Sequence, residues 1–148
     1  MTTIAYHHES KIIAVDSYTT SDARITNQNA EKWLRIGGDL IVLCGAISDI
    51  KHFVEAYRHG KCEAEDVDVT ALVVRNGELN RGGVHRGNYW EEPINHNDAI
   101  GSGSAFALAA LDFKMTAKEA VQYASTRCIF TGGTVHTFSA LTGEKVNL

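Results

Sequence analysis

The 148-residue sequence predicts an α+β fold in which two antiparallel sheets pack face to face and helices cover their outer sides. Short segments rich in β-branched and aromatic residues come in pairs joined by turns, the first pair being residues 2–6 and 11–18. The helical segments are grouped, with one near the middle and two later, and do not alternate with single strands. The length suits one domain over residues 1–148.

Further strands are predicted along the chain, separated by turns and loops. Residues 19–28 and 82–87 are predicted to be loops, the first because it is polar. An Asn76-Gly77 pair marks a hairpin turn, and Tyr89 and Trp90 open a short edge strand. The other predicted strands cover residues 29–36, 39–45, 69–75 and 134–139, with a last one after the turn at 142–143.

Three helices are predicted. The first begins near Ser48 and ends at Gly60, because apolar residues between them recur at intervals of three and four. The second, over residues 105–113, is apolar throughout, which predicts that it is buried on most sides. The third follows Thr116, which is expected to form a capping box with Glu119.

Composition and charge exclude several classes of protein. A formal charge of −4 and the lack of a Lys/Arg cluster argue against nucleic-acid binding. There is no apolar run of about eighteen residues and no signal peptide, so neither a membrane nor secretion is indicated. Three widely spaced cysteines without a CxxC pair predict reduced thiols in the cytoplasm. The seven histidines have no metal-binding spacing, so we expect no metal and no cofactor.

Thr2 is the first candidate for chemistry. A strand that begins at the second residue is unusual, because termini generally fray, and it suggests that the terminus is needed in a fixed place. A threonine hydroxyl is a weak nucleophile, but a free α-amine on the same residue can act as its general base. The small Thr2 side chain makes removal of Met1 plausible. Taken alone, Thr2 is more simply a β-branched residue that opens a strand.

Asp16 and Lys32 are the second candidates. Asp16 follows the apolar run 12–15, which predicts a carboxylate at the buried end of a strand. Lys32 is in phase with Ala30 and Leu34, which would bring its ammonium to the inner face. A buried lysine is usually paired, and Asp16 is a candidate partner. Each residue taken singly is also compatible with an ordinary structural role. The glycine-serine segment 101–104 lacks the pattern of a phosphate-binding loop.

Several segments together resemble a known family. The chain is similar to proteasome β subunits and to the proteasome-like peptidase subunit of the bacterial ATP-dependent heat-shock protease, which are N-terminal nucleophile hydrolases. The matching segments lie in the family's order from end to end. They are the opening Thr2-Thr3-Ile4, Ile13-Ala14-Val15-Asp16, the Lys32 segment 31–36, Gly45-x-x-x-Asp49, Gly101-Ser102-Gly103-Ser104, and Thr131-Gly132-Gly133.

The resemblance implies a four-layer αββα sandwich and a threonine peptidase that becomes active when Met1 is removed. It implies that Thr2 is both nucleophile and base, that Lys32 lowers the pKa of the amine, and that Asp16 orients Lys32. Other implied roles are the oxyanion donor at the Gly45 N–H and the hydrogen-bonded residues near the amine, Ser102 and Thr131. The implied substrate-binding residues are Thr20 and Ile47, which align the peptide, and Thr19, Ala30, Leu43 and again Ile47, which line an uncharged first pocket.

The resemblance also implies partners: a polypeptide substrate, further copies of the chain in a homo-oligomeric ring, and an ATPase unfoldase. Two departures bear on this. Cys128 stands where proteasome β subunits have an aspartate, and the 61–68 connection is much shorter than the family's second long helix. The chain is therefore a compact, phage-like variant of the pattern.

Two other functions are compatible with the same pattern. A non-catalytic shell or assembly protein could retain the fold, although it would have no evident need for Lys32. A small-molecule amidase of the same superfamily could use the same nucleophile. Retention of Met1 would favour the first of these alternatives.

Overall fold

A computed structural model describes residues 2–148 as twelve strands and three α-helices. The predicted removal of Met1 lies outside the described residues. The strands are β1 Thr3–His7, β2 Ile12–Val15, β3 Thr19–Ser21, β4 Arg24–Asn27, β5 Trp33–Ile36, β6 Asp39–Gly45, β7 Val69–Arg75, β8 Glu78–His85, β9 Asn88–Pro93, β10 Asp98–Gly101, β11 His136–Ser139 and β12 Lys145–Val146.

The helices are α1 Ile50–His59, α2 Ser104–Asp112 and α3 Ala117–Ser125, and a short 3-10 helix, Ile47–Asp49, precedes α1. Gly60 ends α1 in the left-handed conformation, as the sequence predicts. The predicted capping box of Thr116 and Glu119 is present at the start of α3. Among residues 2–148, no helix has both the length and the apolar character needed to span a membrane.

Ten strands form two five-stranded antiparallel sheets. The order in the first sheet is β10-β1-β2-β11-β12, and the order in the second is β5-β6-β7-β8-β9. Within residues 2–148, the strands β3 and β4 pair only with each other and form a separate hairpin. The N-terminal strand β1 is thus flanked on both sides, which holds the segment that begins at Thr3 within the first sheet.

Side-chain alternation along the strands produces four layers. In β1, Ile4 and Tyr6 point toward the second sheet, and Ala5 between them packs against α2 and α3. In β6, Val42 faces the first sheet and Leu43 lies in the cluster that contains Phe53 of α1. The order of layers is therefore helices, sheet, sheet, helix, which confirms the predicted αββα sandwich.

Residues 19–28, predicted to be a loop, form the β3–β4 hairpin. Asp22 and Ala23 at its tip have φ values of 49° and 61°, as in a tight hairpin turn. All four residues of β4 are exposed, so neither face carries the alternating apolar pattern that would indicate a strand.

The loop predicted over residues 82–87 is confirmed only at the turn 86–87, because residues 82–85, including Gly82 and Gly83, lie inside β8. A Cβ on Gly82 would come within 2.6 Å of the Tyr89 hydroxyl, and one on Gly83 within 2.6 Å of the Trp90 ring. The two glycines make room for aromatic rings of the paired strand β9. The predicted edge strand at Tyr89 and Trp90 is β9, whereas β10 was not predicted.

Three boundaries or environments also differ from prediction. The strand predicted over residues 29–36 begins only at Trp33, and Lys32 lies in the extended segment before it. Ser48 does not cap α1, which begins after the 3-10 helix. The helix α2 is not buried on most sides, because Ala107, Ala110 and Leu111 are its only buried residues and the described outer face is exposed.

Candidate active site

One cavity of about 750 Å³ opens beside the start of the chain. Thr2, the end of β6 at Gly45, and the extended segment that carries Lys32 all border it. The sequence-predicted substrate residues also line this cavity. They are Thr19, Thr20, Ala30, Leu43 and Ile47. Residues that are distant in the sequence, from 2 to 47, are thus brought around one space.

Asp16 and Lys32 form a buried ion pair, and Lys32 lines the cavity. The Lys32 Nζ lies 2.8 Å from Asp16 Oδ1, and the two residues are 8% and 0% exposed. Burial lowers the pKa of the Lys32 ammonium, although the charge and hydrogen bond of Asp16 oppose that shift. The predicted contact between the two residues is confirmed.

The Asp16 carboxylate has two further donors. Its Oδ1 accepts the Thr3 N–H at 3.1 Å, and its Oδ2 accepts the Gly132 N–H at 3.0 Å. A buried carboxylate with three donors is held in one orientation, and its charge is compensated. Asp16 therefore ties the start of β1 to the Lys32 side chain and to the late glycine segment.

The peptide unit between Thr2 and Thr3 is held on both sides. The Thr2 carbonyl accepts the Ser102 N–H at 2.8 Å and lies 3.4 Å from the Ser102 hydroxyl. The Thr3 N–H on the other side of the unit donates to Asp16. Because both polar groups of this peptide are bonded, the position of the Thr2 Cα is constrained, and Thr2 as a whole is only 5% exposed.

Gly45 borders the cavity with a backbone that requires glycine. Its φ is 128°, and a Cβ built on it would lie 2.0 Å from the carbonyl oxygen of Asp68. The next residue, Ala46, donates its N–H to the same carbonyl at 2.7 Å. Any residue with a side chain at position 45 would therefore displace the backbone at the cavity wall.

Thr131 lies in the same region and hydrogen-bonds with Thr3. Its hydroxyl is 2.6 Å from that of Thr3. Ser102 is the predicted residue that contacts Thr2 directly. The Cys128 thiol donates to the Ser102 hydroxyl at 3.6 Å, so this cysteine is one side chain further from Thr2.

Cys44 and Cys128 differ in acidity. Burial raises the pKa of the Cys44 thiol, which borders the cavity, to about 11, so this thiol stays protonated at neutral pH. Burial also acts to raise the pKa of Cys128, but hydrogen bonds with Thr131, Ser102 and the Phe130 backbone outweigh it, and the net shift is downward. Cys128 is nevertheless absent from the residues that line the cavity.

Thr3 is a residue that sequence reasoning did not single out for the site. It is completely buried, and its hydroxyl accepts the Gly103 N–H at 3.0 Å besides contacting Thr131. A β-branched residue in a strand gives no signal of such a role. Only its place directly after Thr2 in the sequence could have suggested it.

We expect Thr3→Val to destabilise the protein. Valine has nearly the same shape, but it leaves the Gly103 N–H and the Thr131 hydroxyl without this partner, which costs about 1–3 kcal/mol. Urea unfolding measures the change. Thr26→Val, at an exposed hydroxyl on β4, is the matched control and should change the free energy of unfolding by less than about 0.5 kcal/mol. Equal effects of the two substitutions would contradict the assignment.

Comparison with known proteins shows likeness in structure and not in sequence. No protein-family model matches the chain, and no curated protein matches its sequence. BPH from Thiobacillus denitrificans matches with a TM-score of 0.70 and 16% identity over 93% of this chain and 96% of that one. The complex of BPH with epoxomicin gives 0.69 and 18% over 92% and 96%. Eukaryotic HslV from Trypanosoma brucei gives 0.69 and 19% over 91% and 97%.

These solved structures have the proteasome-like, N-terminal nucleophile hydrolase fold that the sequence resemblance implies. The predicted fold and the predicted resemblance are therefore confirmed. The match spans nearly the full length of both chains, so the compact 61–68 connection is compatible with the complete fold. At 16–19% identity the likeness concerns the fold, and activity depends on the residues around the cavity.

Proposed function

We propose that this protein is a threonine endopeptidase whose nucleophile is Thr2 after removal of Met1. The observation that carries the proposal is that Thr2, the Asp16–Lys32 pair and Gly45 converge on one cavity. This set contains a hydroxyl, a buried cation and a peptide N–H, which are the groups that acyl transfer requires. Their arrangement on the fold shared with BPH and HslV supports a peptide as the substrate.

Each residue has a defined role in the proposed reaction. The Thr2 α-amine takes the proton from the Thr2 hydroxyl, which attacks the peptide carbonyl carbon and forms a tetrahedral intermediate. The C–N bond then breaks, the leaving amine takes the proton from the Thr2 ammonium, and the acyl-enzyme ester remains. Lys32 favours the neutral form of the amine through its positive charge, and Asp16 keeps Lys32 in place. The Gly45 N–H stabilises the oxyanion, a contribution of about 3 kcal/mol in comparable sites. Water then hydrolyses the ester and regenerates Thr2.

Ser102 and Thr131 hydrogen-bond with the first two described residues of the chain, Thr2 and Thr3. Ser102 holds the Thr2 carbonyl, and Thr131 holds the hydroxyl of Thr3. Both therefore act on the position of the N-terminal segment. This arrangement is consistent with the role in the hydrogen-bonded surroundings of the amine that the resemblance implies.

The cavity walls support an apolar residue before the cleaved bond. Thr20 and Ile47 are proposed to align the substrate as an added strand, and Thr19, Ala30 and Leu43 to line the first pocket together with Ile47. These residues are uncharged, and the positive charge of Lys32 is balanced by its ion pair with Asp16. A peptide with leucine before the cut should therefore be cleaved faster than one with glutamate.

Covalent labelling tests the proposed function. Processed protein that begins at Thr2 is incubated with epoxomicin, the ligand of the BPH complex, and the adduct is located by mass spectrometry of the N-terminal peptide. An adduct on Thr2 together with cleavage of a fluorogenic peptide is the expected result. Cleavage without any adduct on Thr2 would assign the nucleophile to another residue.

We also propose a homo-oligomeric ring, served by an ATPase unfoldase, as the working form. Phe106 and Leu108 of α2 are partly exposed, and Phe113, which directly follows the helix, is 83% exposed. Aromatic side chains are enriched at protein interfaces, so this exposed aromatic supports an assembly. The three cysteines are free thiols, which supports a reducing compartment such as the cytoplasm.

Light scattering should show a mass that is a multiple of 16.2 kDa at micromolar concentration. Phe113→Asp should reduce that mass, because it replaces an exposed aromatic side chain with a charge that would be buried at an interface. Leu141→Asp, which changes an exposed residue between β11 and β12, is the control and should not. A wild-type protein that is only monomeric would contradict the proposed assembly.

A further inference from the structure

The Gly45-x-x-x-Asp49 motif contains an aspartate to which the proposed chemistry assigns no role. Asp49 is the N-cap residue of α1, where an aspartate usually accepts hydrogen bonds from its own helix. Its side chain makes no such capping bond. Its Oδ2 instead accepts the N–H of Asp68, nineteen residues later, at 2.8 Å. The carboxylate is thus used for a long-range contact.

That contact completes a ring of three hydrogen bonds beside Gly45. Asp49 Oδ2 holds the Asp68 N–H, and the Asp68 carbonyl accepts the Ala46 N–H at 2.7 Å. The Ala46 carbonyl in turn accepts the Asp49 N–H at 3.0 Å. The segment that follows Gly45 is therefore linked to the segment that precedes β7, and the Asp49 side chain completes that link.

The ring of hydrogen bonds fixes the backbone of Gly45 and Ala46, which borders the cavity. The Asp68 carbonyl lies so close to Gly45 that a Cβ there would be 2.0 Å from its oxygen. Gly45, Ala46 and Asp68 all line the cavity that Thr2 also borders. A shift of Asp68 would therefore move Gly45 and Ala46, and with them any N–H directed at a reacting carbonyl.

We propose that Asp49 is a positioning residue that holds the Gly45–Ala46 backbone through Asp68, so that the Gly45 N–H is aligned for oxyanion stabilisation. This inference rests on the proposed function. Oxyanion donors act only when they are aligned before the reaction, and small displacements are costly. Loss of the Asp49 acceptor should therefore lower kcat and leave substrate binding nearly unchanged.

Three substitutions at one position separate geometry from charge. Asp49→Ala removes the acceptor, Asp49→Asn keeps an oxygen at the same distance without charge, and Asp49→Glu keeps the charge on a longer side chain. Asp66→Ala is the matched control, because it removes a nearby exposed carboxylate for which residues 2–148 provide no side-chain hydrogen bond or ion pair.

Steady-state cleavage of a fluorogenic peptide by processed protein is the first measurement. Asp49→Ala should lower kcat about tenfold to a hundredfold, with KM within about twofold of wild type. Asp49→Asn should retain most of kcat and exceed Asp49→Glu, and Asp66→Ala should match wild type. If the Asn variant loses as much as the Ala variant, or the Glu variant is unaffected, the positioning role is contradicted.

Amide hydrogen exchange is the second measurement and needs no turnover. The N–H groups of Ala46 and Asp68 should exchange faster in Asp49→Ala and remain protected in Asp49→Asn. If Asp49→Ala does not fold, the comparison of the Asn and Glu variants decides the question. An active wild type with unchanged exchange and kcat in Asp49→Ala contradicts this inference alone. A processed wild type without turnover or a Thr2 adduct contradicts the proposed function itself.

Discussion

Protein that retains Met1 should fold normally but cleave no peptide, whereas protein processed to Thr2 should be active. With Met1 attached, the Thr2 nitrogen is part of an amide and cannot accept the hydroxyl proton. A free α-amine has a pKa of about 8, so it can act as a base near neutral pH. General-base assistance typically contributes 10²–10⁴-fold to the rate. Intact mass, circular dichroism and peptide cleavage of the two forms provide the test.

Substitutions at Thr2 sharpen this prediction. Thr2→Ala should keep the fold and lose both cleavage and the epoxomicin adduct, because no hydroxyl remains. Thr2→Ser should retain part of both activities. Cys128→Ser should keep the adduct on Thr2, since Cys128 does not line the cavity and reaches Thr2 only indirectly, through its contacts with Ser102 and Thr131. Equal cleavage by Met1-bearing and processed protein would refute the N-terminal nucleophile, and Cys128 would then be the next candidate.

Lys32→Ala should abolish cleavage while the protein remains folded. The substitution removes the charge that favours the neutral amine of Thr2. The fold should persist because the Asp16 carboxylate keeps the backbone donors of Thr3 and Gly132. Peptide cleavage and thermal unfolding of the same preparation measure the two effects. Substantial activity in a folded Lys32→Ala protein would contradict the role of Lys32.

Asp16→Ala should affect stability much more strongly. It removes the carboxylate that balances the buried Lys32 charge and that holds two backbone N–H groups, at a cost of about 3–5 kcal/mol. Glu92→Ala removes a 57% exposed partner of Arg81 and should cost less than about 1 kcal/mol. If the two substitutions lower the free energy of unfolding by similar amounts, the Asp16–Lys32 pair contributes no more than a surface ion pair.

The regular features that local residues specify were predicted correctly. The strand β7 and the Asn76-Gly77 turn have the predicted bounds, because a β-branched run and a turn pair act through nearby backbone alone. The capping box at Thr116 is correct for the same reason. The Asp16–Lys32 contact was predicted because a buried lysine is usually paired and Asp16 follows an apolar run at the buried end of a strand.

The errors occur where distant residues decide the conformation. Gly82 and Gly83 lie in a strand because the rings of Tyr89 and Trp90 need the space, and no local signal reports that. The exposed outer face of α2 could not be separated from a buried one, because a helix that is apolar all round has no preferred side. The β3–β4 hairpin was missed because its strands bury little on either face.

By itself, the sequence determined most strand and helix blocks, the two packed sheets with helices outside, and the Asp16–Lys32 pairing, since these follow from periodicity, turn chemistry and the need to pair buried charge. The αββα layer order and the other site residues were predicted from the family resemblance. Only the tertiary structure decided how those residues are held. The Thr3 hydroxyl, the three donors of Asp16 and the Asp49–Asp68 contact join segments between 13 and 128 residues apart. Such hydrogen bonds depend on distances that exist only when both sheets are assembled, and so no local pattern can encode them.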